Sequence, residues 1–335
     1  MDVLVLGGTA WLGREVARAA LARGHEVTVL ARGRSGPPPE GVRHVPADRT
    51  EAGAYDDVRG RDWDAVVDVA RQPGQVRSAV TALADRARHW VLVSSCSVYA
   101  RDDRPGEDES AALLPAVEED SEDPHSYGGR KVACEAVVLE ALGDRALVAR
   151  AGLVGGPGDT SDRTGYWPLR FAHPATDDGT VLVPDSTNPT QVVDVRDLAD
   201  WLVRSGEGRA TGVANAAGSV VPLPDHLAVA RSGAGHTGAP VPVASDWLQA
   251  HRVEPWMGER SLPLWLPMPD YAGHGARDTG LARRLGLSCR PLADTLADTL
   301  AWELRHGPGR ARRAGLSPAE ERELLQAATR GTQDP

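Results

Sequence analysis

The first eighteen residues, MDVLVLGGTAWLGREVAR, constrain the fold of this chain more than any other stretch. Val3, Leu4, Val5 and Leu6 form a short apolar run with no helical period. Its length and β-branched content suit a strand buried on both faces. Gly7 and Gly8 follow at once, and from Leu12 the apolar residues recur at helical spacing as Leu12, Val16, Ala19 and Ala20. A helix start placed directly after a strand leaves open amide groups, and its dipole favours a phosphate there. Gly7 permits the tight turn, and Gly13 lets the helix pack close to the strand. Ala10 replaces the usual middle glycine but still admits close approach, so Gly7, Thr9, Ala10, Trp11, Leu12 and Gly13 form a candidate phosphate loop. After a glycine stop at Gly24, His25 to Leu30 reads as a second strand, closing a βαβ unit of ~30 residues. The pattern is that of a Rossmann-type dinucleotide fold.

The same alternation continues downstream. Val42 to Pro46 reads as a third strand ending at Asp48, which is expected near the adenine. Asp64 to Ala70 reads as a fourth strand, Gln75 to Arg88 as a helix, and Trp90 to Ser94 as a fifth strand. Strands alternating with helices at this spacing predict an α/β protein with a doubly wound parallel sheet. The expected organisation is a dinucleotide-binding domain over 1–170 with a returning segment at about 190–218. A smaller, mostly C-terminal substrate-binding region then covers 171–189 and 219–303, and a tail with a short helix covers 304–335. Within that tail Ser317-Pro318-Ala-Glu320 reads as a capping box.

The formal charge of −10 argues against nucleic acid or an acidic membrane surface as the main partner. Three cysteines without paired spacing (Cys96, Cys134, Cys289) suggest a reducing compartment. The N-terminal apolar run is far too short for a membrane span. The expectation is a cytoplasmic protein, monomer or homodimer, acting on a small molecule. No histidine or cysteine cluster has metal-ligand spacing, so no metal site is expected.

Where NAD-binding folds carry an acidic residue for the ribose 2′-hydroxyl, this chain has Ala31 with Arg32 and Arg34 beside it. Arginines fork onto a 2′-phosphate, so the expected cofactor is NADP, with NAD as the alternative. From Arg101 to Asp123 runs an acidic stretch with ten carboxylates and two arginines. It reads as a solvated, mobile loop; the sharper alternative is a lid over a cationic substrate.

Of the 37 basic residues, Lys131 alone is lysine. It stands four residues after Tyr127, on the same face of a predicted helix. A lysine cation beside a phenol favours the phenolate and makes the tyrosine a usable proton donor and acceptor. Asp162-Arg163-Thr164-Gly165-Tyr166-Trp167 is a polar-aromatic mixture suited to small-molecule recognition. The candidate substrate residues are Ser97, Arg163, Tyr166 and Gln191. Beyond Val220, prolines cluster around Trp247, Trp256 and Trp265, which suggests irregular structure over a cleft with the tryptophans mostly in the core.

Over about residues 1 to 303 the chain resembles the extended short-chain dehydrogenases/reductases of the epimerase/dehydratase superfamily. The matching pieces are Gly7-Gly8-Thr9-Ala10-Trp11-Leu12-Gly13, Ser94-Ser95-x-x-Val98-Tyr99, Tyr127-x-x-x-Lys131, Arg150-Ala-Gly-Leu-Val-Gly-Gly-Pro157 and Val193-Asp-Val-Arg-Asp-Leu-Ala199. The resemblance implies that Tyr127 is the acid/base, that Lys131 holds the nicotinamide ribose and that Ser95 hydrogen-bonds the reacting oxygen. Gly7, Thr9, Ala10, Trp11, Leu12, Gly13, Arg32, Asp48, Ala70, Lys131 and Arg150 are the expected cofactor contacts. Two departures narrow the activity. Cys96 and Ser97 stand where the dehydratases have an Asp-Glu pair, and Thr190-Gln191-Val192 replace the stretch that nucleotide-sugar enzymes carry. The expected function is hydride transfer between nicotinamide and a carbonyl or alcohol carbon of a small polar substrate. An epimerase with tightly held NAD(P) is the first alternative, and a non-catalytic dinucleotide-binding protein the second.

Overall fold

The computed structural model describes residues 1–331, so the last four residues of the expected tail lie outside the described residues. The chain opens with β1 (Asp2–Leu6), α1 (Trp11–Ala22), β2 (Glu26–Ala31), β3 (Arg43–Pro46), β4 (Ala65–Asp68), α2 (Pro73–Leu83) and β5 (Trp90–Ser95). It continues with α3 (Tyr127–Leu142), β6 (Ala146–Ala151), β7 (Leu153–Gly155), α4 (Arg163–Ala172), β8 (Val181–Asp185), β9 (Pro189–Thr190), β10 (Val192–Asp194), α5 (Val195–Gly208) and β11 (Gly212–Ala216). The remaining elements are β12 (Val221–Pro222), α6 (Leu223–Gly233), β13 (Pro240–Ala244), α7 (Ser245–Ala250), β14 (Glu254–Pro255), β15 (Ser261–Leu262), α8 (Gly280–Arg284), α9 (Leu292–His306) and α10 (Pro318–Gly331).

Seven strands form one parallel sheet in the order β11-β6-β5-β4-β1-β2-β3. The strands inside it are buried on both faces, which is why they read as continuous apolar runs in the sequence. Helices α1 and α5 cover one face, where Val16, Ala20, Leu198 and Leu202 meet Val5 and Val29. On the other face α2 and α3 supply Val76, Val80, Cys134 and Val138 against Leu4, Leu92 and Val148. The order of the strands reverses between β1 and β4, which opens a crevice beyond their C-terminal ends. The glycine turn and Ala70 both border it.

A second core gathers α4, α6, β8, β13 and α10 around Trp167, Phe171, Leu182, Leu223 and Leu325. The capping box closes as expected: Ser317 N–H donates to Glu320 at 2.8 Å, and Glu320 N–H to Ser317 Oγ at 3.2 Å. The acidic stretch is mostly exposed, as expected of a solvated loop, but it carries ties that its local composition does not show. Several of its carboxylates reach distant partners: Glu118 pairs with Arg77, Asp120 accepts from Gly74 N–H, and Glu107 and Asp102 both hold Arg277. Those partners come from far along the chain, so local composition could not show them.

One buried group of the second core gives an acid-stability prediction. His226 of α6 is fully buried, with Nδ1 3.1 Å from Thr190 Oγ1. That hydroxyl already donates to Val221 O at 2.9 Å, so Nδ1–H is the donor to it and Nε2 faces the core without a partner. Burial pulls the imidazole down to about 4. Its folded value thus lies below its unfolded one, so the unfolded chain takes up the proton first. The associated stability is full above the ordinary histidine range and is lost as pH falls from ~6.5 toward 4, reaching about 3 kcal/mol. Thermal unfolding from pH 7.5 to 4.5 should show a steeper loss for the wild type than for His226→Asn. Equal slopes would contradict it.

Candidate active site

The glycine turn shows why these residues belong at a phosphate. Gly7 has φ +99°, in the region open mainly to glycine. A Cβ on Gly13 would stand 2.4 Å from Gly7 O, so only glycine lets α1 start this close to β1. At the N-cap, Ala10 offers no side-chain acceptor, which leaves the first-turn amides free for an anion. Thr9 is buried, and its carbonyl accepts from Arg14 at 2.9 Å. Leu12 packs against the core. Trp11 reaches across the crevice, where its indole N–H donates to Pro157 O at 2.9 Å. These residues fit a dinucleotide.

At the far end of β2, Arg32 and Arg34 project from an exposed loop on either side of Asp48, at 3.6 and 3.9 Å. The Thr50 hydroxyl and N–H, then the two arginines, hold the Asp48 carboxyl below the usual carboxylate range. Two guanidinium groups facing one carboxylate leave a net positive corner.

Helix α3 begins at Tyr127 and brings Lys131 beneath it one turn later. Lys131 is 2% exposed, with its Nζ donating to Ala70 O at 2.7 Å and Val93 O at 2.5 Å. Those carbonyls lie just beyond β4 and within β5, so the ammonium clasps the sheet at the crevice. It has three N–H groups, and two go to these carbonyls. Ala70 is itself fixed, because Asp68 Oδ1 accepts its N–H at 2.9 Å while Arg49 grips the same carboxylate. Tyr127 is half-buried at the first position of α3.

Ser95 ends β5, and its Oγ accepts from Ser97 N–H and donates to Ser97 Oγ, both at 3.1 Å. Ser95 is half-buried and Ser97 exposed. Between them Cys96 donates to Arg150 O, and burial pushes its thiol up to about 12. A thiol so placed is no proton carrier near neutral pH.

Three expected contacts are corrected. Arg150 is 4% exposed and spent within the protein, on Glu135 at 2.8 Å, Tyr99 at 3.1 Å and Glu109 O at 3.1 Å. Tyr166 is 3% exposed, set edge-on against Trp167 with Gly315 against its ring. Its helix turns the ring into the second core. Gln191 is also buried, its amide closing a pair with the backbone of Arg277 at 2.8 and 3.0 Å. It ties two segments together.

Arg163 takes the opposite course. It opens α4, with Nε donating to Ser161 Oγ at 3.0 Å and the guanidinium stacked 4.7 Å from the Trp256 ring. The Tyr127 phenol lies within its electrostatic range. Burial holds Arg163 below the ordinary arginine range. Two residues at the site escaped sequence reading. Trp256 was expected in the core, and only the folded chain brings it to Arg163. Glu135 continues the Tyr127–Lys131 face by one more turn, where it accepts from Ser94 Oγ and holds Arg150. The i, i+4 spacing was its available signal.

The NAD dependent epimerase/dehydratase family model matches residues 3–217. The 2'-dehydrokanamycin reductase of Streptomyces kanamyceticus is 34% identical over 263 residues, covering 74% of this chain and 70% of that protein. The chloroplast stem-loop binding protein of 41 kDa b from Arabidopsis thaliana is 28% identical over 219 residues, 59% of this chain and 53% of its own length. Among solved structures, UDP-N-acetylglucosamine 4-epimerase from Bacillus cereus superposes with a TM-score of 0.66 at 17% identity, covering 92% of this chain and 100% of the other. The Bordetella bronchiseptica enzyme WbmG, in complex with NAD and UDP, gives 0.65 at 20% identity over 93% and 99%. These two establish the shared fold. With most of its length matched by the family model, the chain belongs to the NAD dependent epimerase/dehydratase family and is an NAD(P)-dependent enzyme of the short-chain dehydrogenase/reductase type.

Proposed function

We propose that this enzyme is an NADP-dependent reductase of a carbonyl on a small polar, sugar-like substrate, with Tyr127 as its acid/base. The observation that carries the reading is the Tyr127–Lys131 pair on α3, with the ammonium buried against Ala70 O and Val93 O. The nicotinamide dinucleotide supplies the hydride. The first-turn amides of α1 hold its phosphates, and the remaining N–H of Lys131 serves its ribose. The Tyr127 phenol gives its proton to the substrate oxygen as negative charge develops there. The Ser95 hydroxyl orients that oxygen, and Ser97 borders it. Likeness to a reductase over three quarters of the chain favours net reduction. Elimination of water is disfavoured, because Cys96 and Ser97 provide no acid/base pair.

Net consumption of NADPH with ring ketones of polyols tests the reading directly. Scrambling of a substrate stereocentre at constant cofactor would favour epimerisation instead. Cofactor choice follows from the Arg32 and Arg34 corner. NADPH should bind about tenfold more tightly than NADH, the worth of a charge-assisted fork. Arg32→Gln should narrow that ratio while leaving NADH affinity unchanged. Calorimetry showing equal wild-type affinities would reverse the assignment.

A further inference from the structure

Among the described residues Arg163 makes no ion pair, although Asp159 lies within its electrostatic range. Arg277 is held by Asp102 and Glu107, Arg290 by Asp194 and Asp197, and Arg150 by Glu135. Of its guanidinium only Nε is engaged, on Ser161 Oγ, and among the described residues the two terminal nitrogens make no hydrogen bond to the protein. The nearby Asp159 does not serve. Its carboxylate is spent on Ser161 N–H and Oγ at 2.8 and 2.6 Å and on Thr164 N–H and Oγ1 at 3.0 and 2.7 Å.

The surroundings fix this cation in place. Asp162, just before it, has φ +62°, and Trp256 beneath it has φ +69°. For a residue as bulky as tryptophan that conformation is an outlier, and such strain persists only where the structure imposes it. Asp162 is imposed by Arg313 N–H at 2.9 Å and by Arg310. Trp256 is imposed by its N–H to Trp265 O at 3.1 Å and by the ring of His274 set edge-on at 4.9 Å. Two left-handed residues from separate segments thus hold one guanidinium over an indole, 4.7 Å from its ring centre and within electrostatic range of the Tyr127 phenol.

We infer that Arg163 anchors a carboxylate carried by the substrate, so that the reducible carbonyl belongs to an acid. A planar fork with two free nitrogens matches the two oxygens of one carboxylate. A diphosphate would call for further free cations, and the neighbouring arginines are already paired. An ammonium-bearing substrate would be repelled. The inference rests on the proposed reading of the Tyr127 cleft as the substrate site, yet it concerns binding and is measured without turnover.

The experiment is calorimetry on the NADPH-loaded enzyme with three ring probes: D-glucuronate, its methyl ester and D-glucose 6-phosphate. The wild type should prefer glucuronate over the uncharged ester by about ten- to a hundredfold, the range of a charge-assisted bond. Arg163→Gln should abolish that preference with NADPH affinity and unfolding temperature unchanged, and Arg163→Lys should restore part of it. Absence of the preference in the wild type, whether both probes bind alike or neither binds, overturns the proposal. So does its survival in Arg163→Gln. A preference for the phosphate over glucuronate overturns the carboxylate assignment. Full activity in Tyr127→Phe would instead sink the acid/base reading and leave the anchor standing.

Discussion

Tyr127→Phe lowers turnover by roughly 10²–10⁴-fold, the usual contribution of a positioned general acid. The phenol sits at the first position of α3, half-buried, so phenylalanine keeps the ring's packing and removes only the transferable proton. Cofactor affinity should barely move, because the proposed dinucleotide contacts are Lys131 and the amides of α1. Unfolding temperature should also hold. Single-turnover measurement at saturating NADPH isolates the chemical step from product release. Full activity in this variant would rule out Tyr127 as the proton donor.

Lys131 carries the second large effect, and the structure makes it a double one. Its ammonium is buried and closes two carbonyls, Ala70 O and Val93 O, at the crevice edge of the sheet. Lys131→Met fills a similar volume but leaves both carbonyls in the interior without a donor, which costs on the order of 1–3 kcal/mol for each group. The same change removes the N–H proposed for the ribose, so NADPH affinity should fall about ten- to a hundredfold. Lys131→Arg keeps the charge but forces a planar fork into a space shaped for a compact ammonium, and both properties should suffer there too. Scanning calorimetry reads the stability arm and titration with NADPH the binding arm. A destabilised Lys131→Met that still binds NADPH at wild-type affinity would limit Lys131 to a structural clasp.

The ties of the acidic stretch were not legible in the sequence, for one reason. Charge counted along the chain cannot reveal that Glu107 and Asp102 meet Arg277, that Glu118 meets Arg77, or that Glu109 accepts from Asn215 N–H at 2.7 Å. The loop is largely exposed to solvent. It is tied down by partners from distant segments, and Glu109 further supports the buried Arg150.

What the sequence determined by itself was everything set by neighbours a few residues apart. The apolar run from Val3, the turn at Gly7 and the helical period from Leu12 specify strand, turn and helix, because backbone sterics and burial act locally there. Tyr127 and Lys131 share a face because a helix places i and i+4 together wherever it forms. Tertiary structure decided which polar groups were already spent. Tyr166 and Arg163 lie three residues apart on one helix, yet Tyr166 turns into a core and Arg163 lies over the Trp256 ring. Gln191 and Arg150 look equally available in the sequence, and each is consumed by a partner the linear chain does not show: Arg277 for one, Glu135 for the other. A buried polar group must find a partner, and the partner is chosen by packing in three dimensions.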